Sequence, residues 1–142
     1  LSLDMVLLYK QQVLESVQAE HAAALGAVRR QEQRLTDLET RYREYDQEYC
    51  QKKLEGLTAG DALMYQGGLR ALEREIRRET EALRRLRQEE QQKREKVVAA
   101  KQETSSLEKL REKKLAQYRK EEQKSEEQFI EEFVSSARSR SA

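Results

Sequence analysis

The sequence predicts an all-α protein: a long antiparallel two-helix coiled coil, or helical hairpin, with a C-terminal helix overhang. Apolar residues recur at alternating spacings of three and four along most of the chain, which is typical of a coiled coil. The 142 residues contain no proline and only one stretch that resembles a turn. Charged residues make up 39% of the chain and its mean hydropathy is −1.03, so it can supply one narrow apolar seam but not a wide core.

The turn signal is the stretch from Gly56 to Asp61. Gly56 follows a helical pattern, where glycine ends a helix without a Cβ penalty. Thr58 stands three residues before Asp61, close to a capping box, and predicts the start of a second helix. We therefore expect a single hairpin domain over residues 1–142, which comprises arm one at about 4–54, a turn at about 55–60, arm two at about 61–134 and a frayed tail at 135–142.

Arm one carries a heptad repeat for about six heptads. Its first seam position holds Leu7, Leu14, His21, Val28, Leu35, Tyr42 and Tyr49, and its second holds Lys10, Val17, Ala24, Gln31, Leu38 and Tyr45. At 1.5 Å per residue, a helix of about 50 residues would be ~75 Å long. Lys10, His21 and Gln31 are polar intrusions, so the first half of the arm should pack less well than the half next to the turn.

The seam resumes in arm two. One position holds Leu69, Ile76, Leu83, Glu90, Val97 and Thr104, and its partner position holds Leu72, Glu79, Leu86, Lys93, Ala100 and Leu107. A fold near Leu57 makes the numbers of facing residues sum to about 114, which pairs Tyr45 with Leu69, Leu38 with Ile76, Val28 with Leu86, Val17 with Val97, Leu14 with Ala100 and Leu7 with Leu107. A slip of one heptad keeps the same phase, so the sequence leaves that alternative open.

Arm two continues beyond the residues that arm one can cover. Four residues near its end, Phe129, Ile130, Phe133 and Val134, follow a spacing that puts them on one helix face. An apolar face without a second arm opposite predicts a binding surface.

The sequence lacks the motifs of catalysis, since it has no glycine-rich phosphate loop, no paired histidines and no nucleophile beside a base. We expect no enzymatic activity, no catalytic residues, no cofactor and no metal site, because a metal site needs several donors and His21 is the only histidine. Cys50 is the only cysteine, which excludes an internal disulfide. The 28 basic and 27 acidic residues are interleaved, which argues against nucleic-acid binding.

Two features allow both a structural and a binding interpretation. Tyr42, Tyr45, Tyr49 and Tyr65 can be seam residues whose hydroxyls reach water, or an amphipathic recognition surface. The arginine-rich run, which holds Arg77, Arg78, Arg84, Arg85 and Arg87, can be a solvated face paired with Glu73 and Glu81, or a contact for an acidic partner.

Several short motifs, taken in order, resemble the flagellar export protein FliJ family. They are the YxxxY that ends with Tyr49, Ala59-Gly60 in the turn, Tyr65-Gln66, the stretch from Leu69 to Ile76, the stretch from Leu107 to Lys114 with Tyr118, and the closing Glu131-Glu132-Phe133. The resemblance covers nearly the whole chain.

The resemblance implies a soluble, cytoplasmic component of the flagellar type III export apparatus, similar to the stalk-like γ subunit of rotary ATPases and peripheral to the inner face of the cell membrane at the flagellar base. The implied partners are the hexameric export ATPase FliI, its regulator FliH, the cytoplasmic domain of the export gate FlhA, and export chaperones, which the protein would escort or recycle. Contact with the membrane would be indirect, through the gate.

The resemblance also implies site residues. Tyr45, Tyr49 and Leu72 match positions of the family's gate-binding surface, whereas Leu38, Tyr42, Gly68, Glu75 and Glu79 occupy neighbouring positions and depart in residue type. By analogy with the stalk, we expect Phe129, Ile130, Phe133 and Val134 to dock into the ATPase ring.

Two other functions fit the same sequence. One is the equivalent stalk protein of a virulence type III secretion system, and the other is a generic coiled-coil scaffold. An intramolecular hairpin should be a monomer, whereas a long parallel coiled coil would dimerise.

Overall fold

The computed structural model describes residues 2–141 as two long α-helices. Helix α1 spans Leu3–Glu55 (53 residues) and α2 spans Ala59–Ser141 (83 residues). Over these residues the helices pack against each other and no strand is present. The predicted helical hairpin is therefore confirmed.

The turn between the helices consists of residues 56–58, which is shorter than the predicted range of 55–60. Gly56 has a φ of 103°, in the left-handed region that glycine adopts at the end of a helix. The Thr58 hydroxyl accepts a hydrogen bond from the Asp61 N–H at 3.1 Å, and the Thr58 carbonyl accepts one from Ala62 at 3.0 Å. Because Thr58 caps α2 directly, Ala59 and Gly60 are already helical.

The chain divides into two compact units. We call Ser16–Val98 the tip unit, and residues 2–15 together with 99–141 the terminal unit. The core of the tip unit consists of two apolar clusters. One is built on Val28, Leu35 and Leu83, with Ile76 and Leu86 beside it. The other is built on Tyr49, Tyr65 and Leu69, next to the turn.

Nearly every buried residue occupies a predicted seam position. The buried residues are Leu7, Val28, Leu35, Leu38, Tyr49, Tyr65, Leu69, Leu83, Glu90, Val97 and Thr104. The exception is Tyr65, which extends the second seam position of α2 by one heptad before Leu72. The 3-4 repeat therefore predicted the buried face of each helix.

Polar contacts between the helices of the tip unit fix the register. The Gln66 amide donates to the Tyr49 hydroxyl at 3.0 Å, and the Tyr42 hydroxyl donates to Glu73 at 3.0 Å. The ring of Tyr65 stacks on that of Tyr49. The residue numbers of these pairs sum to 114 or 115, so the predicted alignment is confirmed there and a one-heptad slip, which would change each sum by seven, is excluded.

In the terminal unit, α1 packs on the stretch of α2 from Ala99 to Leu107. Leu7 is buried and Thr104 is 4% exposed, and the Thr104 hydroxyl donates to the Ala100 carbonyl at 2.8 Å. Lys10 forms an ion pair with Glu103 at 2.8 Å, and Arg111 forms one with Asp4 at 2.6 Å.

Helix α2 continues well beyond this pairing. Every side chain from Glu108 to Arg140 is exposed, which confirms the C-terminal overhang. The helix extends to Ser141, whereas the sequence pattern placed its end near Val134. No glycine or proline follows Gly68, so nothing in the backbone chemistry ends the helix earlier. Fraying of the last residues stays a prediction.

Candidate functional site

Tyrosines from both helices form a cluster in the tip unit, next to the turn. The rings of Tyr49 and Tyr65 stack with centroids 5.3 Å apart and an interplanar angle of 11°. Tyr45 lies tilted against Tyr65, with centroids 5.1 Å apart. Both arrangements fall within the distance range that aromatic pairs prefer. The ammonium group of Lys53 lies 4.2 Å from the centroid of Tyr49, in cation–π distance.

The four tyrosines do not share one environment. Tyr49 and Tyr65 are buried, each with 8% of its surface exposed, so they are seam residues. Tyr42 and Tyr45 are half-buried. The hydrogen bond to the Glu73 carboxylate raises the pKa of Tyr42, and burial raises the pKa of Tyr65, so both phenols stay protonated at neutral pH.

Gly68 makes room for the ring of Tyr45. A Cβ atom at Gly68 would lie 2.6 Å from Tyr45 Cε1 and 2.7 Å from its hydroxyl oxygen, whereas a Cβ at Gly67 would have no neighbour within 4 Å. The group that approaches Gly68 is therefore an aromatic ring. Gly68 thus sets the position of Tyr45 on the surface.

A groove of about 500 Å³ runs beside this ring. Its lining residues come from both helices and are Arg41, Glu44, Tyr45, Glu48, Gly68, Ala71, Leu72 and Glu75. Tyr45, Leu72 and the two small residues give it an apolar surface, while three carboxylates and one guanidinium border it. The groove can take an apolar side chain whose neighbours are polar or basic.

The structure brings together two of the three residues expected to bind the gate. Tyr45 and Leu72 line the groove, but Tyr49 does not, because its ring is stacked on Tyr65 inside the seam. The groove also contains four residues that the heptad pattern does not single out, namely Arg41, Glu44, Glu48 and Ala71. Their only signal in the sequence is a spacing of three residues: Glu44 follows Arg41, Glu48 follows Tyr45 and Ala71 follows Gly68 at that distance.

A second candidate surface lies on the overhang, and we call it the C-terminal apolar face. Phe129, Ile130, Phe133 and Val134 are 69%, 59%, 68% and 41% exposed. Such a group of large side chains on one turn-and-a-half of helix is costly to leave in water. The arrangement suits insertion into an apolar pocket of a partner.

A polar cluster occupies the seam of the tip unit. His21 Nε2 lies 2.9 Å from a carboxylate oxygen of Glu90, and Arg94 binds the same carboxylate at 2.6 Å. These hydrogen bonds, that from His21 first, hold the pKa of Glu90 below its ordinary value of 4.5. His21 is therefore a satisfied seam residue, and no group of three or more potential metal ligands occurs among residues 2–141.

Three further features are the absence of an apolar membrane-spanning stretch among the described residues, the exposed thiol and the pairing of the arginine-rich run. Neither helix, over its described length, contains a stretch apolar and long enough to cross a membrane. The free thiol of Cys50 is exposed. In the arginine-rich run, Arg84 and Arg85 pair with Glu81, whereas Glu73 binds Tyr42 rather than an arginine.

Comparison with known proteins identifies a family. The family model described as flagellar FliJ protein matches residues 2–142, essentially the whole chain. Searches of curated proteins and of solved structures found no match to this chain.

Proposed function

Because the chain belongs to the flagellar FliJ family and is thus related to flagellar export, we propose that it is a non-catalytic, stalk-like component of the flagellar type III export apparatus. It would bind the export ATPase FliI, with its regulator FliH, and the cytoplasmic domain of the export gate FlhA, and would escort or recycle export chaperones. The observation that carries the proposal is the family match over residues 2–142. It also favours a flagellar role over a virulence secretion system or a generic scaffold.

We assign the ATPase contact to the C-terminal apolar face. Its side chains make up an exposed apolar surface on the overhang, where most other residues are charged or polar. Burying them in a pocket of the ATPase ring would gain about 25 cal/mol for each Å² of apolar surface removed from water. This free energy would favour binding of the overhang to the ATPase ring.

The ATPase contact is tested by stimulation of ATP hydrolysis. The variant F129S/I130S/F133S/V134S, or truncation after Gln128, should abolish stimulation of the purified export ATPase. The matched control is L63S/M64S, since Leu63 and Met64 are 67% and 61% exposed and lie outside that face. Unchanged stimulation by the truncated chain would exclude this assignment.

We assign the gate contact to the groove, with Tyr45 and Leu72 as its apolar anchors. Both side chains are half-buried, so each packs on its neighbours and still presents surface to a partner. Tyr49 would act indirectly, since it is buried beneath Tyr65 and supports the ring against which Tyr45 lies.

This division of roles is tested by measuring gate binding and helicity together. Tyr45→Ala and Leu72→Ala should weaken binding to the purified gate domain and leave helicity intact, whereas Tyr49→Ala should chiefly lower stability. Tyr118→Ala is the matched control, because Tyr118 is 64% exposed and lies outside the groove. If Tyr45→Ala removes helicity along with binding, the tyrosine is only a seam residue.

The proposed location is the cytoplasm, at the inner face of the cell membrane below the flagellum, with membrane contact only through the gate. We further propose that the chain is a monomer, because its seam is satisfied within one hairpin. Light scattering on the purified chain tests this, and a mass twice that of the chain would contradict it.

A further inference from the structure

The outward face of α2 in the tip unit is strongly basic. Between residues 70 and 85, the positions opposite the seam hold Arg70, Ala71, Arg74, Arg77, Arg78, Glu81, Arg84 and Arg85. We call the six arginines among them the arginine stripe. All six are exposed. At 1.5 Å per residue, the stripe is roughly 22 Å long.

Most of the stripe lacks an acidic partner. Glu81 pairs with Arg84 and Arg85, but over residues 2–141 no ion pair joins Arg70, Arg74, Arg77 or Arg78 to a carboxylate. The nearby glutamates of the same helix are engaged elsewhere: Glu73 binds Tyr42, and Glu75 and Glu79 lie near Arg34 of α1.

No contact among the described residues shows that the four arginines without an ion pair, Arg70, Arg74, Arg77 and Arg78, stabilise the hairpin. Arg70 and Arg74 are four residues apart, as are Arg74 and Arg78, and like charges at that spacing destabilise a helix. None of these side chains is a seam residue. Because packing within the hairpin does not explain why this repulsion between arginines is present, the stripe points to a contact with another molecule.

The residue type narrows the choice of partner. Guanidinium groups bind carboxylates and phosphates through two parallel hydrogen bonds, so the partner is anionic. The stripe contains no large apolar side chain that would enter a membrane surface. The 28 basic and 27 acidic residues of the chain are interleaved, which argues against a nucleic acid as that partner.

We propose that the arginine stripe binds an acidic helix of a protein partner, one that carries carboxylates at alternating three- and four-residue spacing. That spacing repeats the spacing of the stripe, so successive guanidinium groups can each meet a carboxylate along two helices that lie side by side. None of the six arginines lines the groove or belongs to the C-terminal apolar face, and the inference does not rest on either assignment.

The test uses the full chain and a synthetic helical peptide with glutamates at alternating three- and four-residue spacing; a peptide with glutamine in their place serves as its control. Binding is measured by fluorescence anisotropy at about 50 and 150 mM salt, which separates contact from diffuse attraction. The variant R70Q/R74Q/R77Q/R78Q should bind the acidic peptide with an affinity at least about tenfold lower than that of the unmodified chain. The same four positions changed to lysine should give an intermediate loss, because lysine keeps the charge without the planar fork.

The matched control is K109Q/K113Q/K114Q/K120Q, which removes four exposed positive charges from the terminal unit and should leave peptide binding unchanged. Circular dichroism should show that R70Q/R74Q/R77Q/R78Q is as helical as the unmodified chain and melts at the same or a higher temperature. The proposal would be overturned if K109Q/K113Q/K114Q/K120Q lost as much binding as R70Q/R74Q/R77Q/R78Q. It would also be overturned if R70Q/R74Q/R77Q/R78Q were less stable than the unmodified chain. Tighter stripe-dependent binding to phosphatidylglycerol vesicles or duplex DNA than to the acidic peptide would also overturn it.

Discussion

The two adjacent glycines of α2 provide a matched pair of substitutions. Both lie inside a helix, where replacing glycine with alanine stabilises by about 1 kcal/mol through helix propensity. They differ in their surroundings, because a Cβ at Gly67 meets nothing within 4 Å and a Cβ at Gly68 overlaps the Tyr45 ring at 2.6 Å. Gly67→Ala should therefore raise the free energy of unfolding by about 1 kcal/mol.

Gly68→Ala should gain much less. The overlapping atoms belong to the far end of the Tyr45 side chain, so the ring can rotate away instead of straining the backbone. Rotation forfeits its contact with Tyr65, where the centroids are 5.1 Å apart, and such an aromatic pair contributes about 0.5–1.5 kcal/mol. The two terms nearly cancel, and we expect a net change within about 0.5 kcal/mol of zero.

Urea unfolding followed by circular dichroism measures both changes, and a double-mutant cycle locates their cause. In a Tyr45→Ala background the obstruction is absent, so Gly68→Ala should then stabilise as much as Gly67→Ala does. Gate binding should fall for Gly68→Ala and stay constant for Gly67→Ala, because only the first displaces the ring beside the groove. Equal stabilisation by the two substitutions in the unmodified chain would refute the argument.

Three further predictions concern the seam. Leu38 is 4% exposed, so Leu38→Ala should lower the free energy of unfolding by roughly 2–5 kcal/mol, whereas Leu54→Ala, at an 84% exposed position, should change it by less than about 0.5 kcal/mol; similar effects would contradict the core. Because the folded-state pKa of Glu90 is held below 4.5, its contribution is present above that pH and is lost as pH falls through the lowered pKa. As the pH is lowered, the free energy of unfolding should thus fall less for Glu90→Gln than for the unmodified chain, and equally for the exposed neighbour Glu89→Gln. The same pH dependence in Glu90→Gln and in the unmodified chain would contradict this. Cysteines at Val17 and Val97, in a Cys50→Ser background, should cross-link within one molecule, and a product of doubled mass on a denaturing gel would contradict the hairpin.

The sequence predicted the features that follow from periodicity. The heptad repeat predicts Val28, Leu35 and Leu83 in the core. The spacing of Thr58 and Asp61 predicts a cap for the second helix, whose first residue is Ala59 rather than Asp61. Tyr65 is buried although it precedes the seam positions that begin at Leu69, because the same spacing extends back from Leu72 by one heptad. The helix end was placed too early because the tail after Val134 is small and polar, and composition of that kind does not by itself end a helix.

The sequence pattern does not predict the groove. Its shape depends on which side chain lies against Gly68, and a heptad pattern specifies faces rather than rotamers. Tyr45 and Tyr49 look equivalent in the YxxxY motif, four residues apart on one helix. Only the stacking on Tyr65 separates a buried ring from one that borders the groove.

The polar residues within the seam of the tip unit restrict how the two helices can align. His21 meets Glu90, and Gln31 meets Glu79 through both the side chain and the backbone carbonyl. Moving α2 by one heptad in either direction would replace those glutamates with hydrocarbon, namely Leu83 or Val97 opposite His21, and Leu72 or Leu86 opposite Gln31. Each misaligned hairpin would place these half-buried polar groups against hydrocarbon, without their hydrogen-bond partners. The polar residues that weaken the seam thus favour a single alignment of the two helices. Replacing His21 and Gln31 with leucine would make the seam more apolar and would allow alternative alignments.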